Sequence, residues 1–309
     1  MRVLLTGAAG FLGRHVLDRL LDIDDVYLTL LDSPQTELPR GMRRLRCDLS
    51  SQEAAFESLR DKSYDVLLHC AREPIGDYAR LQAVNALGTK NLLTALEDRV
   101  PRVIVAGSCA VYGESIDGAP LDEYSYVEPM TVYGRSMAAR EALAREMTGL
   151  YGTELCILRF FYLLGPEQEP VTTVPSLARD LVRMKLGLAK PRLRTESLDR
   201  RRDYVDVRDA ASACLMALGS TGRLPERVNI ASGRARTIRS IFTAMAGTLA
   251  LDPEVEEDPV LPGPEVVLGD PALAESSLGW KPETNISVTL KDLLQSWIRR
   301  LRNPSSSDM

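Results

Sequence analysis

Two histidines and five scattered cysteines leave this 309-residue chain little with which to hold a metal. The histidines are His15 and His69; the cysteines stand at 47, 70, 109, 156 and 214, with no CxxC pair among them. A structural zinc site is therefore not expected. An odd, dispersed set of thiols reads as reduced and intracellular, hence cytoplasmic. No run of 18 apolar residues occurs, so no transmembrane helix is expected. Met1-Arg2 passes directly into a strand pattern, without the apolar segment or cleavage site of a signal peptide. A positive excess is missing too: 38 Lys and Arg against 43 Asp and Glu give a net charge of −5. That argues against a dedicated nucleic-acid binder, yet leaves room for anionic small ligands. With 45% apolar and 26% charged residues, and ordinary Gly (21) and Pro (18), the chain is neither collagen, coiled coil nor disordered.

What is present is an alternation of strand and helix patterns, over a length that suits two domains or one large one. Apolar runs predict strands at Arg2–Thr6, Val26–Leu31, Tyr64–His69, Arg102–Ala106 and Glu154–Phe160. Helical spacing marks Phe11–Leu21, Tyr78–Leu96 and Met130–Leu150 between them. Such alternation implies βαβ units and a parallel sheet with right-handed crossovers. Past Gly165-Pro166 the texture changes. Helices are expected at Ser176–Leu188, Ile238–Leu249 and 285–302, and a short strand at Val228–Ile230. Arg192–Arg202 reads as a basic loop and Leu251–Pro264 as an acidic, proline-rich one. Asp270-Pro271 has the form of a helix cap followed by proline at the first helical position.

The first strand runs into Thr6-Gly7-Ala8-Ala9-Gly10-Phe11-Leu12-Gly13 and then a helix. Gly7 permits the tight turn, Gly10 lets backbone approach a pyrophosphate, and Gly13 lets helix pack on strand, while the helix N-terminus offers free N–H groups to an anion. Asp32, at the end of the second strand, is placed to accept hydrogen bonds from an adenosine ribose and to repel a 2′-phosphate. The pattern predicts a dinucleotide site favouring NAD over NADP.

The string TGAAGFLG resembles the cofactor fingerprint of the extended short-chain dehydrogenase/reductase family, the NAD-dependent nucleotide-sugar epimerases and dehydratases. The resemblance continues through Cys47-Asp48-Leu49, His69-Cys70-Ala71, the helix around Asn85, Gly107–Gly113, Tyr133–Ser136, Arg202–Val205 and Leu278–Pro282. It implies an α/β fold: a Rossmann-type doubly wound parallel sheet with a smaller C-terminal α/β substrate subdomain. Residues 1–165 would form the NAD-binding part, with 203–230 returning to it. Residues 166–202 and 231–303 would form the substrate part, and 304–309 a frayed tail. The implied cofactor contacts are Gly7, Ala9, Gly10, Phe11, Leu12, Gly13, Asp32, Asp48, Leu49, Cys70, Ala71, Asn85 and Tyr133. Family members commonly pair through two long helices, here Tyr78–Leu96 and Met130–Leu150, so a homodimer is expected.

In the family a tyrosine removes a hydroxyl proton as hydride leaves for NAD, helped by a lysine four residues on along the same helix face. A serine hydroxyl shares the substrate oxygen. The resemblance assigns these catalytic roles to Ser108 and Tyr133, but the lysine position is Met137. Methionine supplies no charge and no hydrogen-bond donor. A free tyrosine phenol, with a pKa of about 10, is mostly protonated at neutral pH, and general base catalysis contributes roughly 10²–10⁴-fold. Three readings stay open: another cation or mechanism compensates, the protein binds NAD without turnover, or an ordinary enzyme has been inactivated by engineering.

The substrate side departs from the family too. Tyr162 stands where nucleotide-sugar enzymes have a diphosphate-contacting Asn, and Val260–Pro264 lacks their clamping Arg. Arg202 matches the other clamp. Arg192, Arg194, Arg200 and Arg201 read either as a solvated loop or as a phosphate-attracting rim. Cys109 and Ala110 occupy the positions of the 4,6-dehydratase acid pair, which leaves the epimerase pattern. Cys109 is either an acid/base thiol or a small buried residue. The substrate contacts expected are Ser108, Cys109, Tyr162 and Arg202. The resemblance implies an NAD-dependent epimerase or ketoreductase acting on a nucleotide-linked sugar, without metal, membrane or nucleic acid. The alternatives are a silent NAD-binding protein and a reductase of a non-nucleotide substrate.

Overall fold

The apolar runs pair side by side in one parallel sheet. The computed structural model describes residues 1–36, 41–258 and 263–303. Of the sequence expectations, the tail at 304–309 and residues 260–262 lie outside the described residues. Strands β1 (Arg2–Thr6), β2 (Tyr27–Asp32), β3 (Arg43–Arg46), β4 (Val66–His69), β5 (Arg102–Ser108) and β6 (Glu154–Phe160) are joined by β10 (Arg227–Ile230). Their order across the sheet is β10-β6-β5-β4-β1-β2-β3, with every neighbouring pair parallel. The chain builds outward from β1 to β3 and then returns to lay β4 on the other side of β1. That reversal opens a crevice at the carboxyl ends of β1 and β4, where ligands of doubly wound sheets bind. Fully buried Leu4, Leu5, Leu67, Leu68, Ile104 and Val105 show why these runs carry no polar alternation: both sheet faces are covered.

Helices α1 (Phe11–Leu21), α2 (Gln52–Leu59), α3 (Tyr78–Leu81), α4 (Gly88–Leu96), α5 (Val132–Tyr151) and α7 (Val207–Gly219) accompany this sheet. The expected helix at Tyr78–Leu96 is interrupted: residues Gln82–Leu87 form a π-helical turn between α3 and α4. Helix α5 begins two residues later than its apolar pattern suggests, because Thr131 caps it by accepting from the Gly134 N–H at 2.9 Å.

A second hydrophobic cluster is built from α6 (Thr173–Lys185), α8 (Ile238–Leu249) and α10 (Ile286–Arg302), through Leu177, Leu181, Ile241, Met245, Leu293 and Trp297. Beside it, β9 (Arg201–Asp206) is the centre of a small sheet. It pairs with β7 (Tyr162–Leu164), β11 (Ala235–Thr237) and β13 (Val266–Val267). Asp203–Asp206 thus belong to the small sheet, while α7 and β10 run back to the large one. Helix α9 (Ala272–Leu278) follows Asp270, whose carboxylate accepts from the Ala272 N–H at 2.9 Å.

Two loop expectations are corrected. The basic stretch Arg192–Arg202 is strand at both ends, β8 (Arg192–Thr195) and β9, and the acidic stretch contains β12 (Glu254–Glu257). Strands β8 and β12 pair in parallel, putting Arg192 beside Glu254 and Glu256, and Arg194 beside Asp258. Each charge run looks like loop alone; together they neutralise one another across a ladder. Arg192 and Arg194 are therefore paired with carboxylates in place of standing free as a phosphate-attracting rim.

Candidate active site

Gly7 has φ +73°, a left-handed conformation that favours glycine, and a Cβ there would stand 2.4 Å from the Ala71 nitrogen. A Cβ on Gly13 would fall 1.9 Å from the Gly7 carbonyl oxygen. The two glycines thus let the turn after β1 press against both the loop after β4 and the first turn of α1. Ala9 and Gly10 remain exposed, and the start of α1 has no side-chain cap, so its N–H groups are open to an anion. Asp32 lies beside this cradle and accepts the Ala8 N–H at 2.9 Å. Burial lifts its carboxyl to about 6 against the pull of the Ala8 and Gly7 amides. A cradle that any side chain would fill, ending in a carboxylate, fits a dinucleotide.

Asp48 is exposed, and Ser50 holds its carboxyl below the usual range through side-chain and backbone hydrogen bonds. Leu49 is buried, with its carbonyl accepting from Asn91 Nδ2. Phe11, Leu12 and Cys70 line the cavity described below. Asn85 is placed differently from the cofactor contact implied by the resemblance. It is fully buried, donates to the Glu73 carbonyl and Ser136 Oγ, each at 3.0 Å, and accepts the Glu73 N–H at 2.7 Å. Its amide ties the loop after β4 to α5.

Ser108 ends β5 and accepts the Ala110 N–H at 3.2 Å. Tyr133 sits in the first turn of α5, beside Gly134. A Cβ on Gly134 would stand 2.2 Å from the Ala110 oxygen, so this close approach brings Tyr133 up to the Ser108 loop. Behind them, buried Arg159 on β6 bonds Glu141 of α5 at 2.6 Å and Tyr112 Oη at 2.7 Å. Burial disfavours the Arg159 charge, but Glu141 more than offsets this and raises its pKa further. The network locks α5 to the sheet.

Met137 is fully buried in the main core and is not among the described residues lining the cavity. Arg72 Nη1, from the loop after β4, donates a hydrogen bond to Tyr133 Oη. The Arg72 guanidinium lies 5.8 Å from the centroid of the Tyr133 ring. Arg140, one turn beyond Met137, is fully buried and donates to the Ala71 and His69 carbonyls at 2.9 Å each. Burial lowers its pKa to about 10. Sequence reasoning missed Arg72; the available signal was an arginine immediately after the matched His69-Cys70-Ala71.

Ser108, Tyr133, Arg72, Cys109 and Tyr162 share a cavity of about 290 Å³ with Phe11 and Leu12 of the glycine loop. It lies at the carboxyl ends of β1, β4 and β5. A larger depression around Arg102, Arg145 and Glu226 lies at the opposite strand ends and holds none of these residues. Cys109 is buried, its thiol pushed up to about 12 by desolvation with Asp203 adding. Desolvation keeps it neutral in the cavity wall. Desolvation also lifts Tyr162 to about 12. Arg202 stacks 5.3 Å from the Tyr162 ring centroid and donates to the carbonyls of Arg201, Pro264 and Glu265. It braces the wall through these bonds, which a phosphate would have to replace. Among the described residues no group of His, Cys, Asp or Glu is arranged to hold a metal, and no helix is long and apolar enough to cross a membrane.

The family model described as "NAD dependent epimerase/dehydratase family" matches residues 3–231. The GDP-6-deoxy-D-mannose reductase of Pseudomonas aeruginosa is 31% identical, covering 97% of this chain and 98% of its own. Among solved structures, RMD from Pseudomonas aeruginosa complexed with NADPH aligns with TM-score 0.85, 30% identity, and 97% and 99% coverage of the two chains. The UDP-glucose 4-epimerase of Thermus thermophilus, complexed with NAD, aligns with TM-score 0.85, 28% identity, and 96% and 99% coverage. With its glycine cradle, Ser108 and Tyr133 on one crevice, the chain belongs to the NAD-dependent epimerase/dehydratase family of extended short-chain dehydrogenase/reductase enzymes.

Proposed function

We propose that this enzyme is an epimerase acting on a nucleotide-linked sugar through its NAD cofactor. The observation that carries the reading is the shared cavity: Ser108 and Tyr133 face the same space as Phe11 and Leu12 of the cofactor loop. Bound NAD supplies a hydride acceptor and donor. Ser108 Oγ orients the sugar oxygen by hydrogen bonding. Tyr133 Oη takes the hydroxyl proton on oxidation and gives it back on reduction. Cys109, neutral, and Ala110 offer no acid pair for water elimination, so 4,6-dehydration is not expected.

Incubation with NAD and UDP- or GDP-hexoses, followed by proton NMR of the sugar, tests this. A C4 epimer formed without net NADH supports the reading. A keto-deoxy sugar would refute it. A second reading has its own support in the 31% identity to a GDP-6-deoxy-D-mannose reductase. Net consumption of NADH with a 4-keto sugar, and no epimer from the alcohol, would favour it.

A further inference from the structure

We propose that Arg72 supplies, from the loop after β4, the positive charge at Tyr133 Oη that the family resemblance places at position 137. This rests on the proposed proton-transfer role of Tyr133. Met137 cannot serve, being uncharged and buried in the core. Arg72 reaches the reacting oxygen directly, with Nη1 donating to Tyr133 Oη across 61 residues of sequence.

The loop is built to hold it there. Residue 71 is fixed by its N–H to Thr6 Oγ1 at 3.2 Å and by its carbonyl to Arg140 Nη1. Residue 73 is fixed by Asn85, which bonds both its N–H and its carbonyl. Arg72 therefore projects from backbone pinned on both sides, and the pins come from β1, α5 and the π-helical turn. The Glu73 carboxylate, next in sequence, pairs with Arg80 at 3.4 Å.

The charged and titratable groups around Tyr133 agree in sign. Arg140 on α5 is a second cation in its field, and Arg72 and Arg140 act on each other as like charges. Cys109, after β5, is a neutral thiol. Cys70, after β4, is buried. Proton transfer from a substrate hydroxyl to Tyr133 Oη leaves a neutral phenol, still able to accept from Arg72. The reverse transfer regenerates an oxyanion facing a guanidinium. Unlike a lysine, the guanidinium cannot lose its own proton at any working pH.

An opposite charge beside a phenol oxygen favours its anion. The test uses the full chain without nucleotide. Tyrosinate absorbance is titrated in the wild type and in Arg72→Met and Arg72→Lys. The Tyr133 share of each titration is isolated by subtracting the same protein carrying Tyr133→Phe. The midpoint should rise in Arg72→Met and return most of the way in Arg72→Lys. NAD affinity, measured by calorimetry, and the circular dichroism spectrum show whether cradle and fold survive; should Arg72→Met not fold, Arg72→Gln takes its place. An unchanged Tyr133 midpoint on loss of the charge overturns the proposal, whatever happens to melting temperature. If no nucleotide sugar is turned over, the functional reading fails while the titration still judges Arg72. Where one is turned over, the acid limb of the kcat–pH profile should move with the midpoint.

Discussion

Asp32 must be charged to repel a 2′-phosphate and to accept from a ribose, yet burial holds its carboxyl near 6. Preference for NAD over NADP is therefore expected at pH 7.5 and expected to shrink as pH falls through about 6. Calorimetric titration of both nucleotides at pH 7.5 and pH 5.5 reads this directly, and equal affinities at pH 7.5 would remove the role given to Asp32. Asp32→Asn keeps the acceptor for Ala8 but not the charge, so it should reduce the preference by at least about tenfold. The stability effect runs the other way. A carboxyl whose folded pKa exceeds its unfolded value of 3.8 binds more protons in the native state. Its contribution is present at acid pH and lost as pH rises from about 4 to about 6. Met137 poses the opposite problem. Met137→Lys would bury an ammonium in full core, and an unpaired buried polar group costs roughly 2–7 kcal/mol. With Arg72 already at Tyr133 Oη, the substitution is expected to lower the melting temperature without raising the oxidation rate. Thermal unfolding and NADH formation from pH 6 to pH 10 check both halves; a faster, equally stable variant would show that the cavity lacked a cation after all.

At the scale of elements, Gly134 sets the distance between the Tyr133 turn and the Ser108 loop. Gly134→Ala places a methyl 2.2 Å from a backbone oxygen and 3.0 Å from the Pro129 Cβ, neither of which can swing aside. Overpacking of this kind costs about 1–3 kcal/mol. A displacement of about 1 Å at reacting groups costs on the order of 10²-fold in rate. The variant should lose kcat while its NAD affinity stays near wild type, since the cradle lies on other elements; kinetics beside calorimetry separates the two. The same scale shows what sequence could and could not tell. Strands β1, β4, β5 and β6 are legible because both their faces are buried and their middles are apolar runs. Strand β3 is not, because Arg43, Arg44 and Arg46 leave it exposed at the sheet edge, where only β2 pairs with it. Strands β8 and β12 are invisible separately, since among the described residues each finds its only ladder partner in the other, about 60 residues away. The glycine loop, Ser108 and Tyr133 are local motifs and could be read directly. Arg72 is one arginine in a loop, and its contact exists only once β4 and α5 are adjacent.

At the scale of the whole molecule, α3, the π-helical turn, α4 and α5 form one wall of the large sheet, and apolar side chains lie uncovered on it. Tyr78 is 58% exposed, Leu87 49% and Leu150 69%. We expect two copies to pair through this wall about a two-fold axis, each presenting the same patch to the other. A stable interface of this kind buries about 1,200–2,000 Å². Sedimentation at micromolar concentration should give twice the 34.1 kDa of the chain, and Leu87→Lys should shift it toward the monomer. Monomer alone in the wild type would count against the pairing. The consequence reaches the site, because Leu87 and Asn85 share the π-helical turn. Leu87 faces outward, while Asn85 points inward and pins residue 73 beside Arg72. A partner covering Leu87 would hold the turn that holds the loop that carries the cation to Tyr133. Dissociation should therefore lower kcat together with the melting temperature, and raising the Leu87→Lys protein concentration until dimer returns should restore both.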